Sequence, residues 1–373
     1  MEQELQKLLS AAMNPKAPIL SWKKKHGGKV IGALPIYVPE ELIAAAGALP
    51  VGLWGGNTEI ERANGHLQGF ACSIVRGVLE LGLKGTYSMV DGFVFPSTCD
   101  HIQNTSEIWA KAFPHHQKFD LVYPANRQSK AALTYQLSLL MNFRQWLEEL
   151  TGNGITDERL SSTISVYNKH RQLMHQLRCV RAENPRGLTN GEMAGLVKAS
   201  LFLPKEEFNS SLEQILPWLN NRIVKDEPRL RLVLTGIMAE PVGILDCLDE
   251  LGCTVIADDL ALGARISRGQ VEESLSPLEG LAQRHLSLGP CSTLYDPNKK
   301  RGGYLINLLK ETKADGIVFI NMKFCEMEEF DYPVIKQEME QAGIPLLFIE
   351  VEQQMASIGQ LRTRLQAFAE MLA

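Results

Sequence analysis

Residues 30–54 read VIGALPIYVPEELIAAAGALPVGLW, and this stretch decides the fold class. An apolar run is followed by a helix that Pro39 opens, with Glu40 and Glu41 in its first turn. Proline at a helix start and carboxylates in the first turn are typical of helix N-termini, and Gly47 suits the helix end. A second apolar run follows at once. The stretch therefore predicts a strand, a helix and a second strand.

The same alternation continues along the chain. Residues 71–83 have a helical pattern, and the run MVDGFVFP at 89–96 has the length of a strand. From Arg229 onward, the runs RLVLTGIMAE, CTVIADD, DGIVFINMKF and IPLLFIEVE alternate with helical stretches. These apolar runs are continuous, as in parallel strands that are covered on both faces. We predict an α/β fold with two Rossmann-like (flavodoxin-like) parallel-sheet domains joined by a helical segment.

The middle of the chain, residues 129–220, has apolar residues at helical spacing and no strand-like run. Thr156 followed by acidic residues, and the string TNGE at 189–192, predict two helix starts there. The sequence therefore predicts three parts. They are an N-terminal α/β domain at 1–140, a helical connector at 141–225 and a C-terminal α/β domain at 226–373.

The composition excludes several classes of protein. The chain has 373 residues, 45% of them hydrophobic and 22% charged, which indicates a globular protein of two or three domains. The 38 Lys and Arg against 43 Asp and Glu leave no basic excess for a phosphate backbone, so we expect no nucleic-acid partner. No apolar stretch approaches about 18 residues, and MEQELQKLLS is not a secretory signal. We expect a cytoplasmic protein with no membrane partner.

The chain contains seven cysteines, which are its main candidates for metal ligands or nucleophiles. They are Cys72, Cys99, Cys179, Cys247, Cys253, Cys291 and Cys325. An odd count without a secretory signal argues against a disulfide framework. No CxxC pair occurs, which excludes a zinc ribbon or a thioredoxin-like site. The P-loop, dinucleotide and zincin motifs are also missing from the sequence. A metal site would therefore combine cysteines from distant segments.

Three cysteines lie at the ends of predicted elements. Cys72 opens a helix, where the helix dipole favours a thiolate, although a structural role for it is equally open. Cys99 follows the strand containing DGFVF, and Cys325 follows the strand containing DGIVF, where open α/β sheets bind ligands. Three thiolates suffice for three irons of a 4Fe-4S cluster and leave the last iron free, whereas an all-cysteine cluster needs four ligands.

The remaining cysteines have simpler surroundings. Cys179, Cys247 and Cys253 lie in helical or apolar patterns, which favour structural roles. Cys291 lies in the loop GPCSTLYDPNKK, and its role stays open. No catalytic residue is predicted.

Five strings, in their order along the chain, resemble the 2-hydroxyacyl-CoA dehydratase D-component family. They are PIYVPEELIAAAGALPVGLWGG, ACSIVRG, DGFVFPSTCDHIQNTSEIW, CEMEEFDYP and GIPLLFIEVEQQMASIGQLRTRLQAFAEML. The resemblance runs from about residue 30 to the C-terminus and includes YNKHRQLMHQL in the helical middle. The family also contains the iron–sulfur subunits of ATP-dependent benzoyl-CoA reductases.

The resemblance implies a two-subunit enzyme in which each subunit holds a 4Fe-4S cluster by three cysteines. The matching positions here are Cys72, Cys99 and Cys325. It also implies that single electrons come from a separate iron–sulfur activator protein that hydrolyses ATP. In the dehydratases of the family, one-electron reduction turns the thioester carbonyl into a ketyl radical anion, and the electron is recovered after dehydration. Because such a cluster is oxygen-sensitive, the resemblance implies an anaerobic cytoplasm.

We therefore predict the iron–sulfur subunit of a 2-hydroxyacyl-CoA dehydratase, a lyase that acts with a second homologous subunit as a heterodimer or a homodimer. One alternative is a subunit of the benzoyl-CoA reductase type, which reduces an aromatic acyl-CoA. Others are a non-catalytic electron-transfer paralogue and a metal-free CoA-binding module. The sequence leaves open which acyl group is used and whether this subunit binds the substrate or relays electrons.

Overall fold

The structure is a computed structural model, and it describes residues 1–224, 226, 230–355 and 357–373. The described residues form two parallel sheets of four strands each. The strands of the first sheet are β1 (Val30–Ala33), β2 (Leu49–Gly52), β3 (Gly92–Pro96) and β4 (Gln117–Leu121), in the order β2-β1-β3-β4. Those of the second are β5 (Leu230–Gly236), β6 (Cys253–Leu260), β7 (Gly316–Met322) and β8 (Leu346–Val351), in the order β6-β5-β7-β8. The predicted fold class is confirmed.

Helices surround both sheets. Helices α1 to α5 are Glu2–Met13, Lys16–His26, Glu40–Ala45, Ser73–Leu83 and Asp100–Ala112. Helices α6 to α9 are Ala132–Thr151, Asp157–Glu183, Asn190–Ala199 and Lys205–Leu219. Helices α10 to α14 are Gly243–Glu250, Pro277–Ser287, Arg301–Thr312, Glu326–Gln341 and Gly359–Leu372. Among the described residues, no helix is both long enough and apolar enough to cross a membrane.

The strand–helix–strand unit predicted from residues 30–54 is present as β1, α3 and β2. All residues of β1 and β2 are buried, as expected for parallel strands covered on both faces. Helix α3 begins one residue later than predicted, because Pro39 is its N-cap. Gly47, the predicted stop, has a left-handed φ of 76°. The sequence does not predict strand β4, because its residues QKFDL are mostly polar and only partly buried at the sheet edge.

The predicted helical middle is also present. Thr156 caps α7, and its side chain accepts a hydrogen bond from the backbone N–H of Arg159. Thr189 and Glu192 form a reciprocal capping box at the start of α8. Helix α7 packs against α3, α9 and β6, so the helical middle contacts the helix between β1 and β2 as well as a strand of the second sheet. The domain limits stay a prediction, and the predicted limit at 225 and strand start at Arg229 lie outside the described residues.

The C-terminal ends of the strands lie along one edge of each sheet, which we call the carboxyl edge. The two carboxyl edges are linked through residues that follow β8. The backbone N–H of Gln353 donates to Ser73 Oγ at 3.2 Å, and its side-chain amide donates to the Trp54 carbonyl at 2.9 Å. Gln354 Nε2 donates to the Gly56 carbonyl at 3.2 Å. The end of the second sheet therefore contacts the start of α4, where the loops of both sheets meet.

Candidate functional site

Each of the three cysteines that the sequence favours as ligands is the N-cap of a helix. Cys72 precedes α4, Cys99 precedes α5 just after β3, and Cys325 precedes α13 just after β7. The first N–H groups of a helix have no partner within that helix, so they are free to face an N-cap side chain. Here the donors are the N–H groups of Ile74 and Val75 for Cys72, of His101 and Ile102 for Cys99, and of Glu328 for Cys325. These donors favour a negative charge on each sulfur.

Burial acts against that charge. It raises the pKa of Cys72, raises the pKa of Cys99 to about 12, and raises the pKa of Cys325 well above its usual value. A negative charge on Cys72 also raises the pKa of Cys99, and charges on both raise the pKa of Cys325. The three thiols therefore lie within electrostatic range of one another, although they come from distant segments. A cationic group bound by all three would relieve this repulsion.

The surroundings of the thiols test whether an iron–sulfur cluster fits. In the part of the chain that the structure describes, no group of three or more His, Cys, Asp or Glu side chains is arranged to hold a single metal ion. A four-iron cluster is wider than one ion, and each cysteine would bind a different iron. Thr98, beside Cys99, is buried, and its hydroxyl has no hydrogen-bond partner among the described residues. The sulfur donors and the unpaired hydroxyl fit the chemistry of a cluster.

The loop that follows β1 has an unusual backbone. Ile36 and Tyr37 have φ angles of 55° and 71°, in the left-handed region that disfavours residues with a β-carbon. Such conformations cost about 1–3 kcal/mol each and are concentrated at functional sites. The backbone carbonyl of Tyr37 accepts a hydrogen bond from the hydroxyl of Tyr123. Nothing in the local sequence predicts this strain, because neither residue is glycine, asparagine or aspartate.

Helix α3, which follows this loop, begins with two carboxylates that each form an ion pair with a basic side chain. The sequence indicates them only as helix-start residues. Glu41 is 2% exposed and forms an ion pair with Arg171, and Glu40 Oε2 lies 2.8 Å from Lys205 Nζ. Burial alone would raise the pKa of Glu41, but the charges of Arg171 and Arg284 lower it below its usual value. A cavity of about 60 Å³ lies among these pairs. Paired charges therefore line this cavity.

Cys291, whose role the sequence leaves open, is distinct from the other cysteines. It is 4% exposed, and Arg265 Nη1 lies 3.3 Å from its Sγ. Burial raises the pKa of Cys291, but the Arg265 charge and a hydrogen bond with Thr293 lower it below the usual value. The structure thus places Cys291 next to Arg265, whose positive charge favours the thiolate form.

The other cysteines have the predicted structural settings. Cys247 and Cys253 are buried in the core. Cys179 lies on the exposed surface of α7, with its Sγ 3.6 Å from His175 Nδ1.

Comparison with known proteins identifies the family. A sequence model of the family "2-hydroxyglutaryl-CoA dehydratase, D-component" matches residues 35–372. The (R)-phenyllactyl-CoA dehydratase beta subunit of Clostridium sporogenes is 36% identical over 360 residues, which are 96% of each chain. The lactoyl-CoA dehydratase subunit beta of Anaerotignum propionicum is 34% identical over 100% of this chain and 99% of its own. A benzoyl-CoA reductase subunit of Thauera aromatica is 30% identical over 94% of this chain and 92% of its own.

These matches cover nearly the whole chain, including both sheets and the helical middle. They confirm the family resemblance that the sequence motifs indicate. The chain belongs to the 2-hydroxyglutaryl-CoA dehydratase D-component family.

Proposed function

We propose that this chain is a subunit of a 2-hydroxyacyl-CoA dehydratase-type enzyme, a lyase that removes water from an acyl-CoA thioester. One observation carries the proposal: three cysteines, of which Cys72 is buried and Cys99 and Cys325 are partly buried, occupy the N-cap positions of three helices at the carboxyl edges of the two sheets. Membership of the family and the dehydratase subunits among the relatives support it.

In this proposal Cys72, Cys99 and Cys325 hold a 4Fe-4S cluster in which one iron has no cysteine ligand. When bound, such a cluster supplies single electrons and an iron that acts as a Lewis acid. The chain itself provides the backbone N–H groups that face the sulfurs and a partly buried setting that limits contact with water. Thr98 provides a hydroxyl that is free to donate beside Cys99.

The proposal includes two protein partners. A second homologous subunit would complete a heterodimer or a homodimer, since the relatives are named as beta subunits. A separate iron–sulfur activator that hydrolyses ATP would deliver single electrons, and the substrate would pass through a ketyl radical anion. Because an iron without a cysteine ligand would be open to attack by oxygen, we place the enzyme in an anaerobic cytoplasm.

Anaerobic purification tests the cluster. We expect a brown protein with about four irons per chain. C99S should lose most of the iron, because it removes one of only three sulfur ligands. C179S is the matched control, since Cys179 is exposed on α7, and it should keep its iron. A folded wild-type protein without iron from a strictly anaerobic preparation would refute the proposal.

A second candidate is a reductase of the benzoyl-CoA type, favoured by the 30% identity to the benzoyl-CoA reductase subunit of Thauera aromatica. The two activities differ in their use of electrons. A dehydratase recovers the electron, so one reduction supports many turnovers, whereas a reductase consumes electrons with every product. Measuring ATP hydrolysed by the activator per product therefore separates them. A non-catalytic electron-transfer paralogue would show no spectral change with any acyl-CoA.

A further inference from the structure

Four buried charged residues form a cluster beside α13, which we call the arginine–carboxylate cluster. Its members are Asp259 in β6, Arg265 after β6, Arg301 at the start of α12 and Glu328 in the first turn of α13. Each is at most 3% exposed. Two positive and two negative charges therefore lie together in the interior, next to the carboxyl edge of the second sheet. Arg268 and Asp331 flank them and pair with Asp259 and Arg301.

Each arginine of the cluster contacts both carboxylates. Arg265 Nη2 and Arg301 Nε donate to the same oxygen of Asp259, at 2.8 and 2.9 Å. Glu328 accepts from Arg301 Nη1 at 2.6 Å and from Arg265 Nη1 at 3.4 Å. Burial alone would raise the pKa of Asp259, but the surrounding arginines hold it well below its usual range. Asp259 therefore stays charged at neutral pH.

Stability alone does not account for this cluster. Taking paired charges out of water costs free energy, and apolar residues of the same volume are generally as stabilising or more so. Its position suggests another role, because Glu328 lies three residues after Cys325 and on the same side of α13.

Glu328 acts on Cys325 in two ways. Its backbone N–H donates to the Cys325 carbonyl at 3.0 Å and faces the sulfur, which favours negative charge there. Its carboxylate has the opposite effect, because a buried negative charge within one helical turn of Cys325 disfavours negative charge on the sulfur. Arg265 and Arg301 offset that carboxylate charge. The net field at the Cys325 sulfur thus depends on how completely the two arginines compensate Glu328.

We infer that Glu328, held by Arg265 and Arg301, is a positioning residue that sets the charge beside Cys325 and thereby the reduction potential of the group that the cysteines hold. The inference rests on the proposed function, because it requires a redox group at these sulfurs. An added electron makes that group more negative. Uncompensated negative charge nearby therefore lowers its midpoint potential, and removal of negative charge raises it.

The test compares two carboxylates in the same helical turn. Glu328 is fully buried, whereas Glu326 is exposed to solvent, so E328Q and E326Q remove the same charge from different surroundings. The anaerobically purified complex is titrated with reductant while the cluster signal is followed by electron paramagnetic resonance. We expect E328Q to raise the midpoint potential and E326Q to leave it close to that of the wild type, because solvent screens an exposed charge.

A second variant, S292A, should shift the midpoint potential in the opposite direction. Ser292 Oγ donates to Glu328 Oε1 at 2.7 Å and accepts from Arg265 Nη1 at 3.2 Å. S292A therefore removes the compensating hydrogen bond to Glu328 and keeps every charge. We expect S292A to lower the midpoint potential. Since it deletes only a hydroxyl from a partly buried residue, it also serves if E328Q does not fold.

Iron content is measured before each titration. A wild type without iron would refute the proposed function itself. Iron-loaded proteins in which E328Q and E326Q shift the midpoint equally, or in which S292A does not lower it, would refute only the role of Glu328.

Discussion

The buried ion pair between Glu41 and Arg171 leads to a prediction about the free energy of unfolding. Glu41 is 2% and Arg171 6% exposed, so R171M would leave a carboxylate in the interior without its closest partner. Removing one partner of a buried pair costs about 3–5 kcal/mol. Arg284 remains near Glu41 and offsets a part of this loss, so we expect the lower end of that range at neutral pH.

The pH dependence has a definite sign. In the wild type the pKa of Glu41 is lowered below the usual 4.5, so the pair adds stability above that pH and loses it as the pH falls through the folded-state pKa. Without Arg171, burial dominates and raises the folded-state pKa of Glu41. R171M should therefore lose stability as the pH rises from about 5 to about 7.

Denaturant unfolding at those two pH values measures the effect, because the difference between R171M and the wild type should grow with pH. The double variant E41Q/R171M is the control, since it removes both charges and should recover most of the loss. An R171M protein as stable as the wild type at neutral pH, or one whose deficit shrinks as the pH rises, would refute the reasoning.

Two further predictions concern the backbone. Gly55 and Gly85 have φ angles of 77° and 76°, but a β-carbon at Gly55 would lie 2.5 Å from Gln353 Oε1, whereas none would be crowded at Gly85. G55A should therefore lower the thermal midpoint more than G85A, which carries only the conformational cost of about 1–2 kcal/mol. Equal decreases in the two variants would contradict the predicted clash with Gln353. T189A should lower the free energy of unfolding by about 1 kcal/mol, because it removes the cap of α8, whereas T189S should retain the cap. Thermal unfolding of both variants measures the difference.

Local patterns predict much of the fold. Apolar runs and helical spacing are properties of neighbouring residues, so the strands around residues 30–54 and the caps at Thr156 and Thr189 could be predicted from the sequence. Strand β4 could not, because its polar residues lie at a sheet edge where the neighbouring strand β3 supplies the pairing. The positions of Cys72, Cys99 and Cys325 at element ends could also be predicted, and the motifs around them indicated the family.

The sequence by itself therefore determined the α/β class, the family and the positions of the three cysteines at element ends, because each depends on residues that are close in the chain or on motifs in a fixed order. Only the tertiary structure decided which charged side chains are buried and paired, both at Glu41 and beside Cys325. Glu41 and Glu328 look like ordinary first-turn carboxylates, and their burial follows from arginines that distant segments bring to them. Long-range packing sets the local dielectric and the charge neighbours, and no pattern within one segment contains that information.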